Sequence, residues 1–306
     1  MAKWTIADIP SQQGSLVVVT GANSGIGWHT TLELARAGGE VILTARTAAK
    51  GSDAVQRIKQ IVPKARVRFE LLDLASLRSV RAFVAKVGQE VKLDLLVNNA
   101  GVMAIPQRQV TEDGFEMQFG TNYLGPFALT GLLMPVLRRA ASPRVTTVSS
   151  GAANMGLRRI NFEDLQWERG YGPWKAYCQS KLADLMLMTE LGRRYPAVVS
   201  TAAHPGYART NLQTSGPGVS TNTLRKVVEK ALEGVMSQDA AAGALPTLRA
   251  ATEDVGSGSY FGPDRMFQMN GDPVRITLPK PAQDGVAAVR LWDVAERLTG
   301  VSWGDV

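Results

Sequence analysis

The sequence contains a single cysteine, Cys178, and only two histidines, His29 and His204, which lie far apart along the chain. One thiol cannot close an intramolecular disulfide, and this His/Cys content offers no metal-ligand spacing, so neither a disulfide framework nor a metal centre is expected. The same usage fits a reducing cytoplasm, the location expected here. No stretch approaches the roughly 18–20 uninterrupted apolar residues that span a membrane. The opening MAKWTIADIPSQQG lacks the apolar core of a secretory signal. Repeats and low-complexity tracts are absent too. The formal net charge is +7, but Lys and Arg are scattered, with no basic run and no interleaved aromatics. That excludes a nucleic-acid footprint and leaves a positive field that favours a small anionic ligand.

What is present is an alternation. Apolar β-rich runs begin at Ser15 (SLVVVT), Glu40 (EVILTAR), Ala65 (ARVRFELLDL), Leu93 (LDLLVNNAG), Arg144 (RVTTVSS) and Val198 (VVSTAA). Amphipathic stretches separate them, over Ile26–Ala37, Ala49–Ile61, Ser76–Val87, a long region ending near Arg139, and Trp174–Tyr195. Strands alternating with helices predict βαβ units and a doubly wound parallel sheet covered on both faces. With GSYFG from Gly258 added, seven parallel strands are expected. The order does not split into two cores, so residues 1–306 read as one domain. Two connections break the rhythm: Gly151–Gly172, and His204–Asn222 followed by an apolar-faced helix carrying Leu224, Val227, Val228, Leu232 and Val235. Long loops at the C-terminal edge of such a sheet hold ligands, so 204–237 is expected to form the substrate side.

After the first strand comes Thr20-Gly21-Ala22-Asn23-Ser24-Gly25-Ile26-Gly27. It lacks G-x-G-x-x-G spacing, but the physics is the same: a turn without Cβ atoms and a helix N-terminus aimed at a pyrophosphate. At the end of the second strand an NAD site places an acid against the ribose 2′-hydroxyl. This chain has Ala45-Arg46, with Lys50 beyond. A guanidinium there can pair with a 2′-phosphate, which favours NADP(H).

Two Tyr-x-x-x-Lys patterns occur, Tyr171–Lys175 and Tyr177–Lys181. A tyrosine that passes a proton to a carbonyl needs a nearby cation to stabilise its phenolate. Spacing i, i+4 on a helix supplies one. Gly172-Pro173 interrupts the first pair, so Tyr177 is the preferred candidate, although a bare pattern of this kind also fits a surface pair. Cys178 points about 100° away on the helix and reads as a packed thiol. Glu163-Asp164 read as solvated loop carboxylates.

The combination is more specific than its parts. TGxxxGxG at Thr20–Gly27, Asp73, Asn98-Asn99-Ala100-Gly101, Asn122, Ser149-Ser150, Tyr177–Lys181 and His204-Pro205-Gly206 occur in an order that resembles the short-chain dehydrogenase/reductase family over nearly the whole chain. The glycine turn, Arg46 with Lys50-Gly51, the loop after Ser150, Ala176–Leu182 and Leu291–Trp303 resemble its retinol-dehydrogenase and protochlorophyllide-reductase-like branch, including actinobacterial oxidoreductases. That resemblance implies Tyr177 as proton donor and acceptor. Lys181 would lower its pKa and bind the nicotinamide ribose. Ser150, or Ser149 in its place, would bond the substrate oxygen, and Asn122 would hold a relay water. It also implies Gly21, Asn23, Ser24, Gly25, Ile26 and Gly27 around the phosphates and Arg46 at the 2′-phosphate. Asp73 and Leu74 fall by the adenine, Asn99, Ala100 and Gly101 by the adenosine ribose, and Pro205, Gly206 and Thr210 by the nicotinamide. The expected function is NADP(H)-dependent hydride exchange with an apolar aldehyde, ketone or alcohol; a retinoid-like substrate follows from the resemblance alone. A non-catalytic NADP(H)-binding redox sensor is the alternative. By family analogy, a homo-oligomer is expected through the helices around Phe119–Arg139 and Trp174–Arg194.

Overall fold

In the computed structural model, which describes residues 3–207 and 239–304, eight strands form one sheet in the order β3-β2-β1-β4-β5-β6-β7-β8. β1 (Leu16–Val19) is the sequence LVVV, buried at all four positions, as a strand covered on both faces must be. It pairs in parallel with β2 (Glu40–Ala45) on one side and β4 (Leu95–Asn98) on the other. The chain winds outward to β3 (Arg66–Leu71), then returns across β1 to build β4, β5 (Arg144–Val148), β6 (Val199–Ala203) and β7 (Tyr260–Arg265). The reversal between β1 and β4 opens a crevice at their C-terminal ends, where ligands bind in sheets of this kind.

Successive side chains of each strand serve opposite layers. Leu16 and Val18 join the core beneath α3 (Leu77–Val87), α5 (Gly125–Leu137), α6 (Pro173–Arg194) and α8 (Gly285–Thr299). Val17 and Val19 join the core beneath α1 (Gly25–Arg36), α2 (Ala48–Ile61) and α7 (Ala240–Thr252). Helix starts follow local chemistry: Thr47 caps α2, Ser76 caps α3, Asp239 caps α7 and Asp284 caps α8, each accepting from an N–H of the first turn. Between the single turn α4 (Met117–Phe119) and α5 lies a π-helical turn, Gly120–Leu124.

The seven-stranded, all-parallel sheet is corrected on two counts. An eighth strand, β8 (Asn270–Ile276), closes the edge, and it runs antiparallel to β7. Its sequence, NGDPVRI, carries Gly271 and Pro273, and Pro273 is its one buried residue. Proline is tolerated on an edge strand because one side of the ladder is free, so β8 lacks the apolar run that marks the inner strands.

The helices around Phe119–Arg139 and Trp174–Arg194 pack on α8 and the segment that follows it. Phe127 of α5 packs on Trp292 of α8 and on Trp303 beyond it, with ring centroids 5.0 and 5.1 Å apart. Arg194, at the end of α6, lies over the Trp292 ring at 4.9 Å. Tyr195 donates to the Gly304 carbonyl at 2.9 Å. From Ala176 to Met188 every residue of α6 is buried. Residues 208–237, most of the expected substrate side, lie outside the described residues, and so does Thr210.

Candidate active site

The glycine turn is held rigid by its neighbours. Thr20 Oγ1 accepts from the N–H groups of Asn99 and Ala100 at 2.9 and 3.0 Å, tying the end of β1 to the end of β4. Asn99 Nδ2 donates to the Thr20 carbonyl at 2.8 Å. Gly21 takes φ +61°, and a Cβ there would stand 2.8 Å from that of Ala100. A Cβ on Gly27 would run into the Asn99 amide and come within 2.8 Å of the Gly21 carbonyl. Ser24, at the N-cap of α1, makes no side-chain capping bond, so its hydroxyl leaves the first-turn N–H groups at the positive end of the helix uncapped. Arg57 donates to the Asn23 carbonyl at 2.7 Å and lies 5.0 Å over the Trp28 ring, anchoring the turn from α2.

Around this turn stand the other expected cofactor residues. Arg46 is exposed one residue past β2 and makes no hydrogen bond or ion pair within the described residues. Asp73 opens the turn into α3, with Oδ1 accepting from Ala75 N at 3.0 Å. Leu74 is buried against Gly125, where a Cβ would be 2.9 Å from its own. Gly206 adopts φ +66° after Pro205. His204 shapes that bend: its Nδ1 accepts from Gly206 N at 3.2 Å, so Nε2 carries the proton and donates to Gln268 Oε1 at 3.2 Å. Burial pushes the His204 imidazole down to about 4, which keeps it neutral and in this role.

Tyr177, Ser150, Lys181 and Asn122 converge at the same edge. Tyr177 and Lys181 are buried one turn apart on α6. Lys181 Nζ donates to the Val148 carbonyl at 3.0 Å and to Asp184 Oδ2 at 2.8 Å. Burial works against the Lys181 charge, but Asp184 and Tyr177 more than offset it and hold the ammonium above the ordinary lysine value. The two adjacent serines differ. Ser149 is buried, and its hydroxyl donates to the Lys181 carbonyl at 2.7 Å. Ser150 is half-exposed; its oxygen accepts from Ala152 N at 3.2 Å, which leaves its O–H free to donate. Asn122, in the π turn, uses its amide on Val102 and donates to Ser180 Oγ at 2.9 Å. Gly101 lies against these groups: a Cβ would sit 3.1 Å from Asn122 Oδ1 and 3.6 Å from Lys181 Nζ.

The rival Tyr171 stands apart. It precedes α6, and its hydroxyl donates to the Ile105 carbonyl at 2.7 Å while accepting from Gln118 Nε2 at 3.1 Å. It fastens the 151–172 connection, as does Gln179, which accepts from Asn161 N and donates to the Leu165 carbonyl. Cys178 is buried beside Tyr177, and burial raises its thiol to about 11, far from a reactive thiolate. Among the described residues no cluster of potential metal ligands occurs, and no helix is long and apolar enough to cross a membrane.

Sequence reasoning missed Asp184, Arg57 and the bracing role of His204. Asp184 carried a signal: an acid within the apolar run LADLMLM, three residues after Lys181. Arg57 carried none.

A glycine turn at the switch point beside a Tyr–Lys pair defines a nucleotide-dependent oxidoreductase site. Residues 15–217 match the family model described as short chain dehydrogenase, and the chain belongs to that family. Human retinol dehydrogenase 13 is 41% identical over 94% of this chain and 85% of its own. Mouse retinol dehydrogenase 14 is 38% identical over 94% and 86%. The crystal structure of an uncharacterized protein from Mycobacterium paratuberculosis superposes with a TM-score of 0.81 at 41% identity, covering 99% of this chain and 100% of its own. The chain is an enzyme of the short-chain dehydrogenase type, acting on CH–OH and C=O groups.

Proposed function

We propose that the protein exchanges a hydride between NADP(H) and an apolar aldehyde, ketone or alcohol, with Tyr177 as the proton donor and acceptor. The observation that carries this reading is the convergence of Tyr177, charged Lys181 and the free Ser150 hydroxyl beside a cradle that Cβ atoms would fill. The residues present fit the cofactor. Gly21, Asn23, Ser24, Gly25, Ile26 and Gly27 offer a pyrophosphate an uncapped helix start. Arg46, without a partner among the described residues and at a strand end where the sequence has no acid, suits a 2′-phosphate. Asp73 and Leu74 would flank the adenine, Asn99, Ala100 and Gly101 the adenosine ribose, and Pro205 and Gly206 the nicotinamide.

Bound NADPH supplies the hydride. Ser150 Oγ–H donates to the substrate oxygen and orients the carbonyl. Tyr177 gives that oxygen its phenolic proton, and the Lys181 ammonium stabilises the phenolate left behind. Asn122 acts through backbone it holds in place, at Val102, beside the Lys181 ammonium. In oxidation the same groups act in reverse. An apolar substrate is supported by the relatives named for retinol. The test is consumption of NADPH and of NADH against aldehydes and ketones of graded size and polarity. The reading predicts turnover with NADPH well above NADH and rates that rise with apolar size. Absence of turnover in both directions, with NADPH bound, contradicts it.

A further inference from the structure

Asp184 is 1% exposed, and its only hydrogen-bond partner among the described residues is Lys181. Its other oxygen, Oδ1, has none. Tyr177, Lys181 and Asp184 follow at i, i+4 and i+7, one stripe along α6. A carboxylate that braced the fold would be spent on backbone N–H groups; this one is spent on the lysine. Burying two charges strips both of their water, and apolar residues in such places are often as stable or more so. Stability therefore does not account for the pair.

An ammonium has three donors. Asp184 Oδ2 and the Val148 carbonyl take two, at 2.8 and 3.0 Å, and one remains. Isolated at this depth, an amine sheds its proton readily; buried lysines can titrate several units below the solution value. We propose that Asp184 is a positioning residue for the reaction: its carboxylate is the counter-ion that keeps Lys181 charged and pins the ammonium at the end of β5, with one N–H left for the cofactor ribose. This rests on the role given to Lys181 above. The groups around the pair are few. Tyr177 faces it from α6 and Tyr123 from the π turn, with Glu190 further along α6. Asn122 comes from the π turn, the end of β5 presents the Val148 carbonyl, and Ser149 just beyond it bonds the Lys181 backbone carbonyl. Burial raises the Asp184 carboxyl, and the Lys181 charge and hydrogen bond pull it back down.

The experiment uses the full chain without cofactor, labelled with ¹³Cε-lysine, and follows the Lys181 resonance, assigned by its loss in Lys181→Met. In wild type the resonance stays at its charged position from pH 6 to 9. In Asp184→Asn, which keeps the shape and a hydrogen-bond acceptor but not the charge, it titrates within that range. Asp184→Leu is the second neutral variant, and either one that folds serves. NADPH dissociation, read by fluorescence, follows the same course. It weakens about tenfold between pH 7 and 9 in the neutral variant, the loss of one charge-assisted bond, and stays nearly constant in wild type. Titration of Lys181 between pH 6 and 9 in wild type overturns the proposal without any variant. So does a folded neutral variant whose Lys181 stays charged to pH 9. Neither readout requires turnover, so the counter-ion role and the catalytic reading fail separately.

Discussion

Asn122 grips both backbone groups of Val102: its Oδ1 accepts from the Val102 N–H at 2.7 Å and its Nδ2 donates to the Val102 carbonyl at 2.9 Å. The pairing turns a side-chain amide into a stand-in for a strand, and it fixes the backbone that follows Asn99-Ala100-Gly101. The π turn around Asn122 re-aims the side chain, as such turns do at functional sites. Asn122→Ala leaves both Val102 groups unpaired. The expected loss is about 2 kcal/mol of stability, read by urea unfolding, with a fall in turnover larger than the fall in NADPH affinity.

Gly27→Ala tests the cradle. The added methyl meets the Asn99 amide and the Gly21 carbonyl, neither of which is the loose end of a flexible chain. The fold is expected to survive, because α1 gains a better helix former, while NADPH binding measured by fluorescence is lost. Unchanged affinity would show that the turn does not carry the pyrophosphate.

Arg46→Ala tests the choice of cofactor. Losing a charge-assisted pair of 1.5–3 kcal/mol weakens NADPH binding about 10- to 100-fold. NADH, without the 2′-phosphate, should bind wild type and variant alike, so the ratio of dissociation constants is the quantity to measure.

His204 gives the stability a pH dependence of known sign. Its imidazole moves from 6.5 when unfolded to about 4 when folded, so the unfolded chain binds the extra proton between those values. The stabilisation is fully present above about pH 6.5 and is lost as pH falls toward 4, about 3 kcal/mol in all. Thermal unfolding from pH 7 to 4 should therefore fall more steeply in wild type than in His204→Asn.

The C-terminal helix covers what would otherwise be an apolar face. A chain ended at Gln283 loses Trp292 and Trp303, whose rings lie 4.4 Å apart over α5. It exposes Phe127 and Tyr195. Size-exclusion chromatography is expected to show association of the shortened chain; a monodisperse monomer would contradict the covering role.

The legible parts of this protein are those with one-dimensional signatures. Runs such as LVVV and EVILTA announce inner strands because both faces are buried, and Gly21–Gly27 announces its turn because only glycine fits. The Tyr177–Lys181 pair was readable from helical spacing once Gly172-Pro173 set its rival aside. β8 was not readable, because an edge strand with Pro273 needs neither an apolar run nor alternation. The π turn at Asn122 and the grip of Arg57 on Asn23 depend on contacts between distant segments. The packing of α8 over α5 and α6 does too.

The measurement that bears most directly on the account compares wild type with Tyr177→Phe, recording NADPH binding and single-turnover reduction of an apolar aldehyde on the same samples. The account predicts matching dissociation constants, with hydride transfer reduced in the variant by at least about 100-fold, the scale of a lost general acid. Reduction by Tyr177→Phe at the wild-type rate would contradict it.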